Sequence, residues 1–461
     1  MYRFSITTLL IVLSSLLAFC QEASVISKEV EDNIRTRVDK GINPGIVVGI
    51  IDAEGTRYFS YGSKSLKTKG PVDEHTVFEI GSITKTFTGT LLADMVLKKK
   101  MKLDDPIQMY LPGGITAPTR NEEPIRLVHL ANHTSSLPRM PDNFNPKNPG
   151  NPFADYTEEL MFQFLNTYEL TRDIGSKFEY SNYAMGLLGH ILATHNGTSY
   201  EELMIKTITK PLGMSDTRIA FTPKMKENLA MGHSGGVEVE NWDLPAMAGA
   251  GAIRSTAVDM LKYLSANMGL EKSKLLPAMR LAHKNSGPVD SALVVGLGWL
   301  TRDLDEVEII THSGGTGGYR TFAGFIKNGN KGVVVLTNST VGVDDIGLHI
   351  LHEGSSLQEP WNRPEEEEAA EIEMAEEVLE VYVGQYQLAP GFILTVSKEG
   401  AQLSAQATGQ PAAPIFPKAE NVFFYKVVKA QLTFNRNEEG NVESVTLHQA
   451  GREIVGKRLE E

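Results

Sequence analysis

The chain has 461 residues but only one cysteine, Cys20, and three tryptophans. It has no excess of positive charge, since 57 Asp and Glu against 44 Lys and Arg leave a formal net charge of −13. A largely apolar run, Ile6–Phe19, is shorter than the roughly 20 residues that a bilayer crossing requires. Each shortage excludes something. Without cysteines after residue 20 there is no disulfide, no thiol nucleophile and no cysteine metal site. The acidic balance argues against binding nucleic acid or an anionic membrane through bulk charge. A composition 41% apolar and 22% charged is globular, which excludes disorder, collagen and coiled coil as the main architecture. At about 150 residues per domain, the length allows roughly three structural units.

The first 20 residues read as an address. Arg3 is their only charge, and Ile6–Phe19 follows it, as in the n- and h-regions of an export signal. Ala18 and Cys20 fit positions −3 and −1 of a cut before Gln21. A soluble exported protein, periplasmic or secreted, is the expectation. A lipid anchor at Cys20 is the alternative.

Val30, Ile34 and Val38 lie four apart and predict a helix within 25–40. Gly45–Ile51 reads as a buried strand and Thr56–Tyr61 as its returning partner. A mixed, largely helical region runs from about 80 to 290, broken by the Pro/Asn-rich loop 137–152. Strands are predicted again at Leu293–Leu300, Val307–Thr311, Tyr319–Ile326 and Gly332–Leu336, then a helix at 344–353. Short strands split by turns fill the last 80 or so residues. The expected division is a signal at 1–20, a main domain at 21–357, an acidic linker at 358–377 and an all-β module at 378–461. There is no internal repeat.

Three short pieces could carry chemistry. Ser82 opens a helical pattern with Ile83, Phe87, Leu91 and Met95 four apart, and Lys85 lies one turn on. Ser82 could be a helix cap. Alternatively, a Lys held away from water can have a lowered pKa and take the Ser proton. Tyr180-Ser181-Asn182 precedes a second helix. Ser181 could cap that helix, while Tyr180 beside a Lys ammonium could titrate low enough to relay a proton. His312-Ser-Gly-Gly-Thr-Gly-Gly318 lies between two strand-like runs. Its glycines would either supply the positive φ of a tight hairpin or let a substrate approach the strand edge. Ser-x-x-Lys and Tyr-x-Asn each occur once in the chain.

Together, Ser82-x-x-Lys85, Tyr180-x-Asn182 and His312-x-Gly314 resemble the serine hydrolases related to class C β-lactamases and D-Ala-D-Ala carboxypeptidases. Leu130–Pro138 and Gly249–Asp259 support the resemblance, which covers about 25–355. Val381–Val455 resembles the β module often appended to such enzymes. The implied fold is α/β (α+β): an antiparallel sheet flanked by helices, with a helical subdomain and a small all-β C-terminal domain. The implied roles are Ser82 as acylated nucleophile, Lys85 and Tyr180 as base and acid, and Asn182 as contact for the acyl amide. The N–H groups of Ser82 and Gly315 would form an oxyanion hole beside Gly314. His312 stands where the β-lactamases carry Lys, replacing a permanent cation with a group expected to titrate near neutrality. That substitution points to an esterase, D-aminopeptidase or carboxypeptidase rather than an efficient β-lactamase. Ser136 replaces a glycine of the family, an expected change of loop only.

The substrate would be a small molecule or a peptide, with no metal, cofactor or nucleic acid; the oligomeric state is open. Gly232-His-Ser234-Gly-Gly236 matches a Gly-x-Ser-x-Gly elbow but lacks the strand-then-helix setting that motif needs. His129 with His133, and His349 with His352, lack a third metal ligand. The rival function is a non-catalytic binder of cell-wall fragments or of a protein partner.

Overall fold

A computed structural model describes residues 25–287, 294–360, 372, 374–389, 392–408, 412–425, 430–437, 439–449 and 452–459. The predicted export signal and most of the acidic linker lie outside these residues.

Helix α1 spans Lys28–Asp39, and strands β1 and β2 span Gly45–Asp52 and Gly55–Gly62. Helices α2 (Thr84–Leu97), α3 (Asn182–His195) and α4 (Ala257–Met268) fill the middle of the chain. Strands β3 (Val294–Val295), β4 (Leu300–Leu304), β5 (Val307–Gly315), β6 (Arg320–Ile326) and β7 (Gly332–Thr337) follow, then helix α5 (Asp344–Leu351). The seven strands form one antiparallel sheet in the order β2-β1-β7-β6-β5-β4-β3.

The run Ile46–Ile51 is apolar throughout because helices cover both faces of the sheet. Alternate residues serve two cores. Ile46, Val48 and Ile50 pack with Ile34, Phe322, Val335 and Ile346 under α1 and α5. Val47 and Ile51 face the other way and join Phe87, Leu261, Tyr263 and Leu336, the core of α2 and α4. The register Val48↔Val335 and Val47↔Leu336 keeps each pair on one face. Arg37 of α1 reaches Asp345 of α5 at 2.5 Å, and both side chains are buried.

The sequence reading errs in two places. Leu293 lies outside the described residues, and the rest of the predicted strand Leu293–Leu300 is broken into Val294–Val295 and the start of Leu300–Leu304, because Gly298 takes φ 74° and bends the chain between them. Strand β5 continues through His312-Ser-Gly-Gly315 instead of ending at Thr311. A tight hairpin does join β5 to β6, with Gly315 opposite Arg320 and Gly317-Gly318 in the turn. None of the glycines 314, 315, 317 and 318 has positive φ, so only the positive-φ account of them fails.

The C-terminal part is a closed eight-stranded antiparallel barrel. Its strands are β8 (Gly384–Ala389), β9 (Phe392–Glu399), β10 (Gln402–Ala407) and β11 (Ala413–Ala419). Strands β12 (Val422–Tyr425), β13 (Ala430–Arg436), β14 (Val442–Gln449) and β15 (Arg452–Arg458) complete it. Tyr382, Tyr386, Phe423 and Phe434 anchor its own core.

Candidate active site

The segment before α2 is clamped by the end of β5. Phe78–Glu79 pairs with Arg254–Ser255, and a 3₁₀ turn at Gly81–Ile83 leads into α2. Gly81 has φ 51°, and a Cβ there would stand 2.6 Å from the Gly315 nitrogen. A Cβ on Gly314 would stand 2.0 Å from the Ile80 carbonyl oxygen, to which the Thr321 hydroxyl donates at 3.0 Å. Both glycines allow strand backbone to press against the Ser82 turn. Ser82 is half-buried and makes no helix-capping bond, so the capping account of it fails. Ser181 does cap α3, accepting from the Ala184 N–H at 2.9 Å.

Three predicted residues meet at one point. Lys85 is fully buried, and its Nζ lies 3.1 Å from Ser82 Oγ, 2.9 Å from Asn182 Oδ1 and 2.6 Å from the Ala250 carbonyl oxygen. Burial, then the positive charge of Arg139, pull its pKa well below the ordinary value. A neutral amine has two hydrogens and one lone pair. The two carbonyl-type oxygens accept the hydrogens, so the lone pair is left facing the Ser82 hydroxyl. This arrangement can remove the Ser82 proton.

The Lys85 Nζ also lies 4.9 Å from the centre of the Tyr180 ring, and the Arg139 guanidinium carbon lies 5.1 Å from it. Tyr180 does not titrate low, contrary to the sequence expectation. Burial pushes it up to about 12, against smaller lowering effects of a hydrogen bond with Ser82 and of Arg139. Tyr180 is therefore a phenol that can give a proton.

His312 also departs from expectation. It is buried, and burial followed by the charge of Lys85 takes its pKa down to about 3, despite a raising hydrogen bond to Ser313. Its Nδ1 lies 2.7 Å from the Ser313 carbonyl oxygen, which only accepts, so Nδ1 carries the hydrogen. Nε2 is then a bare acceptor, buried and without a partner among the described residues. His133 has the opposite tautomer, since its Nδ1 accepts from the Ser181 N–H at 3.1 Å. Its ring stacks on Tyr180 with centroids 4.5 Å apart. Burial, Lys85, His312 and Arg139 hold it well below the ordinary range.

Sequence reasoning missed His133 and Arg139 as site residues. Neither has a motif spacing to Ser82, and only their place in or just after Leu130–Pro138 hinted at them. The Ala250 carbonyl was hidden because it is backbone. Ser136 has φ 65°, which suits the family glycine, and its Oγ accepts from the Arg172 N–H at 3.2 Å.

The competing motifs have structural jobs. Gly232–Ser234 is one arm of a hairpin with Val237–Val239, so Ser234 is on no strand-to-helix elbow. His129 Nδ1 accepts from the Arg126 N–H, while His349 and His352 meet Ser355. Among the described residues, no group of three His, Cys, Asp or Glu could hold a metal, and no helix is long and apolar enough to cross a membrane.

Comparison with known proteins follows this geometry. Residues 30–352 match the family described as Beta-lactamase, and residues 368–458 match a domain of unknown function, DUF3471. The chain is 32% identical over 313 residues to the D-alanyl-D-alanine-carboxypeptidase/endopeptidase AmpH of Escherichia coli, covering 64% of this chain and 80% of that one. It is 26% identical over 440 residues to penicillin-binding protein 4* of Bacillus subtilis, covering 88% and 93% respectively. A solved β-lactamase/D-alanine carboxypeptidase from Yersinia pestis superposes with a TM-score of 0.60 at 26% identity, over 67% of this chain and 91% of that one. The chain belongs to the β-lactamase family of serine hydrolases.

Proposed function

We propose that this protein is an exported acyl-transfer hydrolase that opens ester, amide or peptide bonds through Ser82. The observation that carries the reading is the buried Lys85 amine, 3.1 Å from Ser82 Oγ, with its other two partners both acceptors. Ser82 Oγ attacks the substrate carbonyl carbon, and its proton passes to Lys85 Nζ. The carbonyl oxygen becomes an oxyanion beside the Ser82 and Gly315 N–H groups. Tyr180 gives its phenolic proton to the leaving oxygen or nitrogen, and the Lys85 ammonium restores it. Water then attacks the acyl-enzyme, gives its proton to the neutral Lys85, and Ser82 leaves with a proton returned from Lys85. Asn182 orients both Lys85 and the acyl amide.

The relatives support a cell-wall peptide or a related ester as substrate. The neutral His312 argues against efficient β-lactam hydrolysis, because no cation at that position holds the carboxylate of the drug. The test is covalent labelling by a fluorophosphonate or penicillin, read by intact mass. Wild type should gain one adduct, and Ser82→Ala should gain none. Equal labelling of the variant would refute the assignment, and an unlabelled wild type would favour a non-catalytic binder.

A further inference from the structure

We infer that Arg139 selects substrates carrying a carboxylate on their acyl part, the part held beside Asn182. This rests on the acyl-transfer reading above. The Arg139 carbonyl oxygen accepts the N–H groups of Asn182, at 3.0 Å, and Tyr183, at 3.3 Å. Its backbone is thus pinned to the first turn of the helix that carries Asn182. Its side chain is exposed, and the guanidinium carbon lies 5.1 Å from the centre of the Tyr180 ring. The neighbouring Arg172 has an acidic partner, Glu179, at 3.1 Å. Arg139 has none among the described residues.

The charge of Arg139 is felt by Lys85, His133 and Tyr180, and no carboxylate is among the groups acting on those three. Lys85, His133 and His312 are all driven toward their neutral forms, so Arg139 is the permanent cation of this cluster. An unpaired guanidinium beside a buried amine is repulsive until an anion arrives. Its planar fork suits a carboxylate. The oxyanion strand, with Gly314 and Gly315, forms the other wall of the site, so the anion that meets Arg139 sits at the Asn182 end.

The test compares three p-nitrophenyl or phenyl esters with wild type, Arg139→Met and Arg139→Lys. The first has a glutaryl acyl group, the second a neutral valeryl group, and the third a neutral acyl group with a carboxylate on the leaving phenol. Wild type should prefer glutaryl over valeryl by roughly ten- to a hundredfold in kcat/KM, the scale of one charge-assisted hydrogen bond. Arg139→Met should bring that ratio close to one, mainly through KM, and Arg139→Lys should keep part of it. Equal losses on all three esters would overturn the proposal and leave Arg139 as a tuner of Lys85. A loss confined to the carboxylated phenol would overturn the acyl-side placement. A wild type that turns over none of the three would sink the hydrolase reading itself.

Discussion

Glu79 and Arg254 face each other across the short ladder behind Ser82, with Nη2 3.5 Å from Oε1 and both side chains only 3% exposed. Glu79 Oε1 also accepts from Asn241 Nδ2 and from the Trp242 N–H, and Arg254 Nη2 donates to the Trp242 carbonyl oxygen at 2.7 Å. One buried pair therefore fixes the 241–242 segment relative to the strand that leads into the Ser82 turn. Removing one member strands the other charge, a loss of about 3–5 kcal/mol. We predict that Arg254→Met lowers stability by that amount in urea unfolding. It should also slow fluorophosphonate labelling of the remaining folded enzyme. Unchanged labelling would show that this segment does not position Ser82.

Lys85→Arg puts a permanent cation in place of the amine and removes the lone pair. If Lys85 is the base, the acylation rate should fall by roughly a hundred- to ten-thousandfold. Single-turnover acylation of a p-nitrophenyl ester measures this directly. A fall of only severalfold would assign the proton to another group.

The acylation rate of wild type should rise with pH as Lys85 loses its proton, at a pH below the ordinary lysine range. It should decline only toward the Tyr180 value of about 12. His312 titrates at about 3, so His312→Asn should leave no limb missing between pH 5 and 9. The disappearance of a limb near neutrality in that variant would show that His312 ionises during turnover.

Stability should fall as the solution is acidified below the ordinary histidine pKa of 6.5. His129 is lowered to about 4, and His283 and His312 to about 3, in each case first by burial. The unfolded chain then binds more protons than the folded one, so unfolding is favoured as pH falls through that window. Thermal melts from pH 7 to pH 4 should show this slope, and His283→Asn should flatten it. An unchanged slope in the variant would exclude His283 as a contributor.

Gly314→Ala would drive a methyl group into the Ile80 carbonyl oxygen. The strand must retreat from the Ser82 turn, at a typical overpacking cost of about 1–3 kcal/mol. Labelling should slow more than stability suggests, because Gly315 moves away from Ser82. Proportionate losses in both would argue against the strand edge as the oxyanion site.

Much of this site was legible because its side chains sit in short local spacings. Ser82 and Lys85 share one helix turn, and Tyr180 and Asn182 flank one cap. Burial was not legible. Lys85 and Tyr180 looked like an ion pair on paper, but desolvation moves the fully buried Lys85 toward amine and keeps the half-buried Tyr180 a phenol. The glycines after His312 resembled a turn throughout, yet Gly314 and Gly315 serve close approach within a continuing strand and only Gly317 and Gly318 lie in the turn. Arg139 comes to the site through its own backbone bonds to α3, a long-range relation that leaves no pattern in the chain. The barrel strands were visible from their turns, but nothing in their sequence announced that the first and last would meet.

That meeting limits how the C-terminal module can recognise anything. Tyr386 pairs with Arg458 and Gln387 with Lys457, which joins β8 to β15 and leaves each strand with two neighbours. Among the described residues no barrel strand is an unpaired edge, which disfavours capture of a peptide as a further strand. That leaves its outward side chains as the surface on which recognition would rest.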